Sequence, residues 1–245
     1  MYHSITFGDK NTWDDWHLVP SSRLVFNPPK QKTVYMDIPG ADGVDDLSEL
    51  LSKCPTYNNR EGSFEFVVMN GYGDWQDRYS DIMDYLHGQV RRAVLEDDPC
   101  FYYEGRFSVN EWKSDKNWSR IVIDYNVAPY KLLKYSSVED WRWDDIDFEQ
   151  NFDLIGMNAL SIDGSWETSF RTLRKTVTPV FTVSSDDGNG LTVHISDTIG
   201  HSNTVTFGDG ENLMSSKLRI YGPAITTLRV TGNGTITIEY RMGRL

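Results

Sequence analysis

Hydrophobic and polar residues alternate along much of this chain, and the period changes part-way. Phe64, Phe66 and Val68 are separated by Glu65 and Val67; Phe101, Tyr103, Phe107 and Val109 alternate with Glu104, Arg106 and Ser108; Ile121, Ile123, Tyr125 and Val127 alternate with Arg120, Asp124 and Asn126. A period of two with polar partners predicts strands that are wet on one face. Between the first two runs, Trp75, Tyr79, Ile82, Met83, Leu86 and Val90 fall on one stripe of a helix, with Asp77, Asp81 and Asp84 on other faces. Asp74 is placed to cap its start and Gly88 to stop it, and acids in the first turns suit the helix dipole. A second, shorter helix is expected over Asp45 to Lys53.

The pattern breaks after Pro129. Ser137 to Asp153 holds seven acids against one Arg, interleaved with Trp141, Trp143, Ile146, Phe148 and Phe152. It reads as a solvated linker strand that packs one apolar side. From Thr176 onward the chain is rich in Thr, Val, Ile and Gly and has no helical period. Candidate strands are Val177–Ser184, Leu191–Ser196, Thr204–Phe207, Leu218–Tyr221, Thr227–Val230 and Thr235–Tyr240. Gly/Asn/Asp clusters separate them, at 186–190, 208–210 and 232–234, which predicts an antiparallel sandwich. The fold class expected is therefore α+β followed by all-β. The domain boundary is placed close to Tyr130, giving units of 1–133 and 134–245.

Composition narrows the function classes. The 245 residues include 8 Trp, 13 Tyr and 11 Phe, too aromatic for a disordered chain and ample for a core. Lys and Arg number 24 against 36 Asp and Glu, a net charge of -12 (-8 up to Tyr130 and -4 after it), which argues against a grip on nucleic acid. No apolar run approaches the ~20 residues of a membrane span. Met1 to Pro20 lacks the basic start and apolar stretch of a secretory signal, so folding in a cytoplasm is expected.

Reactive chemistry finds little anchorage. Cys54 and Cys100 form no C-x-x-C pair, have no His at ligand spacing, and read as small core residues. His3, His17, His87, His194 and His201 accompany no G-x-S-x-G elbow. No phosphate-binding loop occurs, and Gly71-Tyr72-Gly73 is half a dinucleotide fingerprint. With 36 acids, any carboxylate spacing of a glycosidase is matched by chance. Asp186-Asp187-Gly188-Asn189-Gly190 lacks the remaining ligands of a calcium loop and reads as a tight turn. Trp166, Phe170 and Tyr221 lie in the half where an aromatic platform would stack on sugar, and Trp166 and Tyr221 are the candidate sugar-stacking residues. No catalytic residue, metal or cofactor is assigned.

The order of motifs in the first half resembles the distal tail proteins of siphophages, including prophage copies in Gram-positive bacteria. Ser4–Trp13 with Trp16-His17-Leu18 is similar to the family's opening strand and loop. Val34–Leu47, after Pro28-Pro29, is similar to its Ile-Pro-Gly, Asp-Gly, Asp-Leu signature. Thr56–Phe66 carries a tyrosine, an arginine and then a strand. Leu86-His87-Gly88 ends the helix, Asp98-Pro99-Cys100-Phe101-Tyr102-Tyr103-Glu104-Gly105-Arg106 begins a strand pair, and Pro129-Tyr130-Lys131 closes the first domain. Gly105 within that run is suited to a close backbone approach or a bulge.

The resemblance implies a split β-barrel with one covering helix, of the tail-tube type, and a galectin-like or carbohydrate-module-like sandwich. It implies a homo-hexameric ring at the virion tail tip that joins the tail tube protein to the tail-associated hub protein. The sandwich would carry a receptor-binding protein or contact a cell-wall glycan, and Trp13–Leu18 and Val25–Lys32 are candidate lumen loops. The expected function is a non-enzymatic hub of the baseplate, with no specific nucleic-acid or membrane binding. The alternative is a carbohydrate-binding adhesin module, and a glycan hydrolase is the third reading.

Overall fold

The structure is a computed structural model that describes residues 3–50, 54–69, 74–114, 119–139 and 156–245. The chain divides into two compact units, Met1–Lys131 with Leu245, and Leu132–Arg244. It is mostly β, with one short helix among the described residues.

The first unit contains β1 (Ile5–Phe7), β2 (Lys10–Asn11), β3 (Leu18–Pro20), β4 (Tyr35–Met36), β5 (Asp45–Asp46), β6 (Arg60–Val68), α1 (Trp75–Leu86), β7 (Gln89–Leu95), β8 (Phe101–Ser114) and β9 (Ser119–Val127). Seven of these strands form one sheet in the order β2-β1-β7-β8-β9-β6-β3. Every neighbouring pair along it is antiparallel. The alternating residues do what their period predicts. Phe64 and Phe66 of β6 stand opposite Ile123 and Ile121 of β9, and all four are buried. Phe107 of β8 meets Phe7 of β1 edge to face, with ring centroids 4.8 Å apart. Each such side chain contributes about 1.5–3 kcal/mol of burial.

Helix α1 covers this core with Ile82 and Leu86, while Trp75, Tyr79 and Met83 pack half-buried beside it. Asp74 caps the helix, its carboxylate accepting the Gln76 N–H at 2.8 Å. The helix ends at Leu86, and Gly88 follows at φ 71°, a left-handed turn that glycine enters without strain. Val90 therefore lies on β7, not on the helical stripe, and is exposed. Arg60 is buried at the start of β6, where its guanidinium donates to the carbonyls of Pro129 at 2.8 Å and Asn27 at 2.9 Å. This pins the loop before β6 and the chain after β9 to the same point.

The second helix expected from Asp45 is not formed over its described part. Asp45 and Asp46 pair with Met36 and Tyr35 as a small hairpin, and Leu47–Leu50 is a turn. The Asp46 carboxylate accepts the Ser48 N–H at 2.9 Å, so polar side chains capture the backbone locally. Leu50 stays exposed and Leu47 only half-buried, and a short helix without tertiary cover does not hold. Residues 51–53 lie outside the described residues, as does the part of the acidic aromatic stretch beyond Glu139.

The chain leaves the first unit within β10 (Lys131–Leu133) and continues through β11 (Leu160–Thr172), β12 (Val180–Ser185), β13 (Leu191–Asp197), β14 (Ser202–Phe207), β15 (Gly210–Met214), β16 (Ala224–Glu239) and β17 (Gly243–Arg244). β16 organises the second unit. One edge pairs with β11 over its whole length; the other pairs with β13 and then with β12.

Gly232-Asn233-Gly234 was expected to separate two strands, but one strand runs through it. That strand folds back on itself. Phe170 stands opposite Thr226 near the start of β16, and Tyr240 follows its end, yet their rings stack at 5.6 Å. Fourteen residues of straight strand would hold them about 45 Å apart. The bend falls where Gly232 (φ 128°) pairs with Gly164 (φ 75°), beside Gly234 (φ 146°). Across the fold, Phe181 of β12 meets Phe207 of β14 at 4.7 Å.

β11 was not anticipated, because Asp163, Gly164, Ser165 and Glu167 interrupt its apolar period. Leu218–Tyr221 is not a strand: one isolated bridge joins Ile220 to Val177.

Candidate functional site

Each histidine is engaged in a local structural contact. His3 Nδ1 lies 2.7 Å from Asp97, His87 Nδ1 accepts the Val109 N–H at 3.2 Å, and His194 Nδ1 lies 2.8 Å from Thr204. The His17 ring meets Trp13 edge-on. His201 Nδ1 lies 2.8 Å from Asp197, and its ring stacks on Tyr221 at 3.9 Å. Burial alone would raise the Asp197 carboxyl, but N–H groups of His201 and Ile199, with the His201 ring, outweigh it and hold the group below the usual carboxylate range. That is a turn being fixed.

Among the described residues, no group of three or more His, Cys, Asp or Glu is arranged to hold a metal ion. Asp187 accepts from the Asn189 backbone and side chain, and closes the loop at 186–190 as a turn. Cys54 and Cys100 are not joined by a disulfide, and Cys100 is half-buried. Cys54 is exposed, which corrects its reading as a core residue: no apolar period brings it onto a covered strand, and the residues that follow it, Pro55 to Tyr57, are only half-buried.

The wet face of the first sheet is polar and internally paired. Arg92 lies 3.4 Å from Glu104, Arg120 bridges Glu65, and Asn126 donates to Glu61 at 2.9 Å. The Arg120 guanidinium holds the Glu65 carboxyl below its usual range. An open cleft on this face is lined by Glu61, Ser63, Arg106, Ser108, Asp124 and Asn126. It is a groove of cross-strand pairs open to water, unlike the enclosed apolar pocket that raises a catalytic acid.

Trp166 is half-buried on the side of β11 that carries buried Ile162 and Phe170. Tyr221 lies elsewhere: its carbonyl accepts from Thr172 Oγ1 at 2.7 Å, six residues further along β11. Six extended residues span about 20 Å, so the two candidate sugar-stacking residues are separate and form no joint platform. Phe170 is buried in the core. Trp16, Leu18 and Phe26, within the two candidate lumen loops, are also core residues.

The unusual surface is the segment from Gln31 to Asp46, in which every residue is exposed. It carries the β4–β5 hairpin, held by two residue pairs. Val34, Tyr35, Met36, Ile38, Val44 and, just beyond, Leu50 are between 41% and 59% exposed. Sequence reading missed this group, because Val, Tyr and Ile in a strand look the same whether a sheet covers them or not. The signal available was five acids and no base between Thr33 and Leu50.

No family model and no curated protein matches the sequence. Among solved structures, the fold aligns with the crystal structure of phage SPP1 Dit at a TM-score of 0.59 and 12% identity, covering 99% of this chain and 100% of that one. The fold is that of Dit. The alignment covers both units, the first with its sheet and α1 and the second with its curled sheet. SPP1 Dit is described as a paradigm of the hub adsorption apparatus in phages that infect Gram-positive bacteria.

Proposed function

We propose that this chain is a non-enzymatic structural hub of a siphophage tail tip. The observation that carries the reading is the end-to-end Dit-like fold, with nearly complete coverage of both chains. In this reading the first unit, a split β-barrel of the tail-tube type under α1, forms a homo-hexameric ring. The ring joins the tail tube protein above to the tail-associated hub protein below. The second unit is a galectin-like or carbohydrate-module-like sandwich that carries a receptor-binding protein, and the assembly resides at the virion tail tip.

The physical features on the page support a part that works through surfaces. Histidines serve turns and strand ends, and the wet face of the first sheet pairs its own charges. A net charge of -12 suits a channel that lets DNA pass without holding it. Ring closure needs interfaces of roughly 1,200 Å² or more. Among the described residues, no helix is long and apolar enough to cross a membrane.

The test is the purified full chain in negative stain and light scattering. A six-fold ring, with a mass six times the 28.2 kDa chain, is the expected result. A monomer at micromolar concentration that tail partners do not rescue, or turnover of a cell-wall polysaccharide, would overturn the reading.

A further inference from the structure

We propose that the exposed hairpin arm around β4–β5 docks on the free start of β7 in a second copy of this chain. The inference rests on the ring reading and names the contact that closes it. The arm cannot be an independent element, since a hairpin of two residue pairs is marginal in water. Its six exposed apolar side chains leave on the order of 600 Å² uncovered, against roughly 800 Å² per partner in a standard interface. Past Lys32 at its base, the arm's charges from Thr33 to Leu50 are all of one sign: Asp37, Asp42, Asp45, Asp46 and Glu49.

The complementary surface lies on the same unit. Apart from the arm, the large apolar residues exposed there among the described residues are Val25 and Val90. Val90 stands opposite Arg106 and next but one to Arg92, and all three are exposed; Glu104 pairs with Arg92, and Glu61 and Asp124 line the same cleft as Arg106. The backbone is open there as well. β1 pairs with β7 from Ala93 to Leu95, with Gly8 donating to the Arg92 carbonyl, and no strand continues along Gln89–Arg91 on that side among the described residues. An acidic, apolar strand from one copy thus meets a basic, apolar strand edge on the next. Donor and acceptor surfaces differ, so the contact is head-to-tail, the kind that closes rings.

The test is the sedimentation mass of the full chain at micromolar concentration. Arg92→Glu/Arg106→Glu and Asp37→Lys/Asp45→Lys should each weaken assembly by roughly tenfold, and the two combined should restore it, because opposite charges face each other again. Tyr35→Ser/Met36→Ser alters side chains outside the core and should weaken assembly with the circular dichroism spectrum unchanged. Assembly of undiminished strength in all these variants, or weakening that the combined charge swap does not repair, overturns this contact and leaves the ring standing. A wild-type chain that sediments as a monomer overturns both.

Discussion

Gly105 tests whether the first sheet is held together by backbone proximity. It lies in β8 between Arg91 of β7 and Val127 of β9. A Cβ built there would sit 2.3 Å from the Asn126 carbonyl oxygen and 2.4 Å from Val127 Cα. Both obstacles are backbone, so Gly105→Ala must push β9 back by on the order of 1 Å, an overpacking strain of about 1–3 kcal/mol. The shift acts where the Ala128 N–H donates to Glu104 at 2.9 Å and Arg60 holds the Pro129 carbonyl. Weakening one or two of these bonds adds about 1 kcal/mol each. Reduced freedom of the unfolded chain returns roughly 0.4–1 kcal/mol. The net expectation is a loss of about 2–4 kcal/mol. Gly43→Ala separates the causes, because Gly43 has φ 82° with nothing within 4 Å of the new Cβ, and should cost only about 1–2 kcal/mol. The assay is urea unfolding followed by hydrogen exchange of β8 and β9 peptides, which reports the first unit by itself. A Gly105→Ala protein within about 0.5 kcal/mol of wild type, or a Gly43→Ala protein that loses as much, would refute the reasoning.

Two further outcomes concern the second unit. The Asp197 carboxyl is depressed in the folded state, so its contribution is complete above the ordinary carboxylate range and fades as pH falls below it; Asp197→Asn should cost about 1–2 kcal/mol in urea melts at pH 7, with the gap narrowing as pH falls through and below the ordinary carboxylate range, and a gap that stays constant across that range would contradict the assignment. On a glycan array, an adhesin role requires binding that Trp166→Ala or Tyr221→Ala abolishes; because these residues are separate, no shared loss is expected, and joint loss with the fold intact would reinstate a common sugar platform.

What the sequence disclosed was local periodicity and local termination. The strands around Phe64, Phe107 and Ile123, helix α1 with its Asp74 cap and Gly88 stop, and the turns at 186–190 and 208–210 were all legible, because each depends on residues within a few positions. What failed was anything decided at a distance. Gly232-Asn233-Gly234 has turn chemistry, yet it became the bend of one long strand because β11 and Gly164 lie alongside. Asp45–Leu50 has a helical start, yet its apolar residues gain little cover: Leu50 is exposed and Leu47 half-buried. β11 hid its period because a strand at a bend tolerates Asp, Gly and Ser on the way through.

The same reasoning explains why the candidate site shifted from side chains to surfaces. Val34, Tyr35 and Met36 have the composition of the buried strands, and Val90 resembled one more helix position; only the fold reveals that all four lie outside the core. Burying such residues needs a sheet, and the chain's own sheet is already occupied by Phe64, Phe66, Ile121 and Ile123. In the proposed contact the apolar surface that remains is matched by a neighbour's, and the opposite charges around the arm and around Val90 select that neighbour. The alternation that builds each sheet is fixed by the pleat, whereas residues at such a contact need only complement one another.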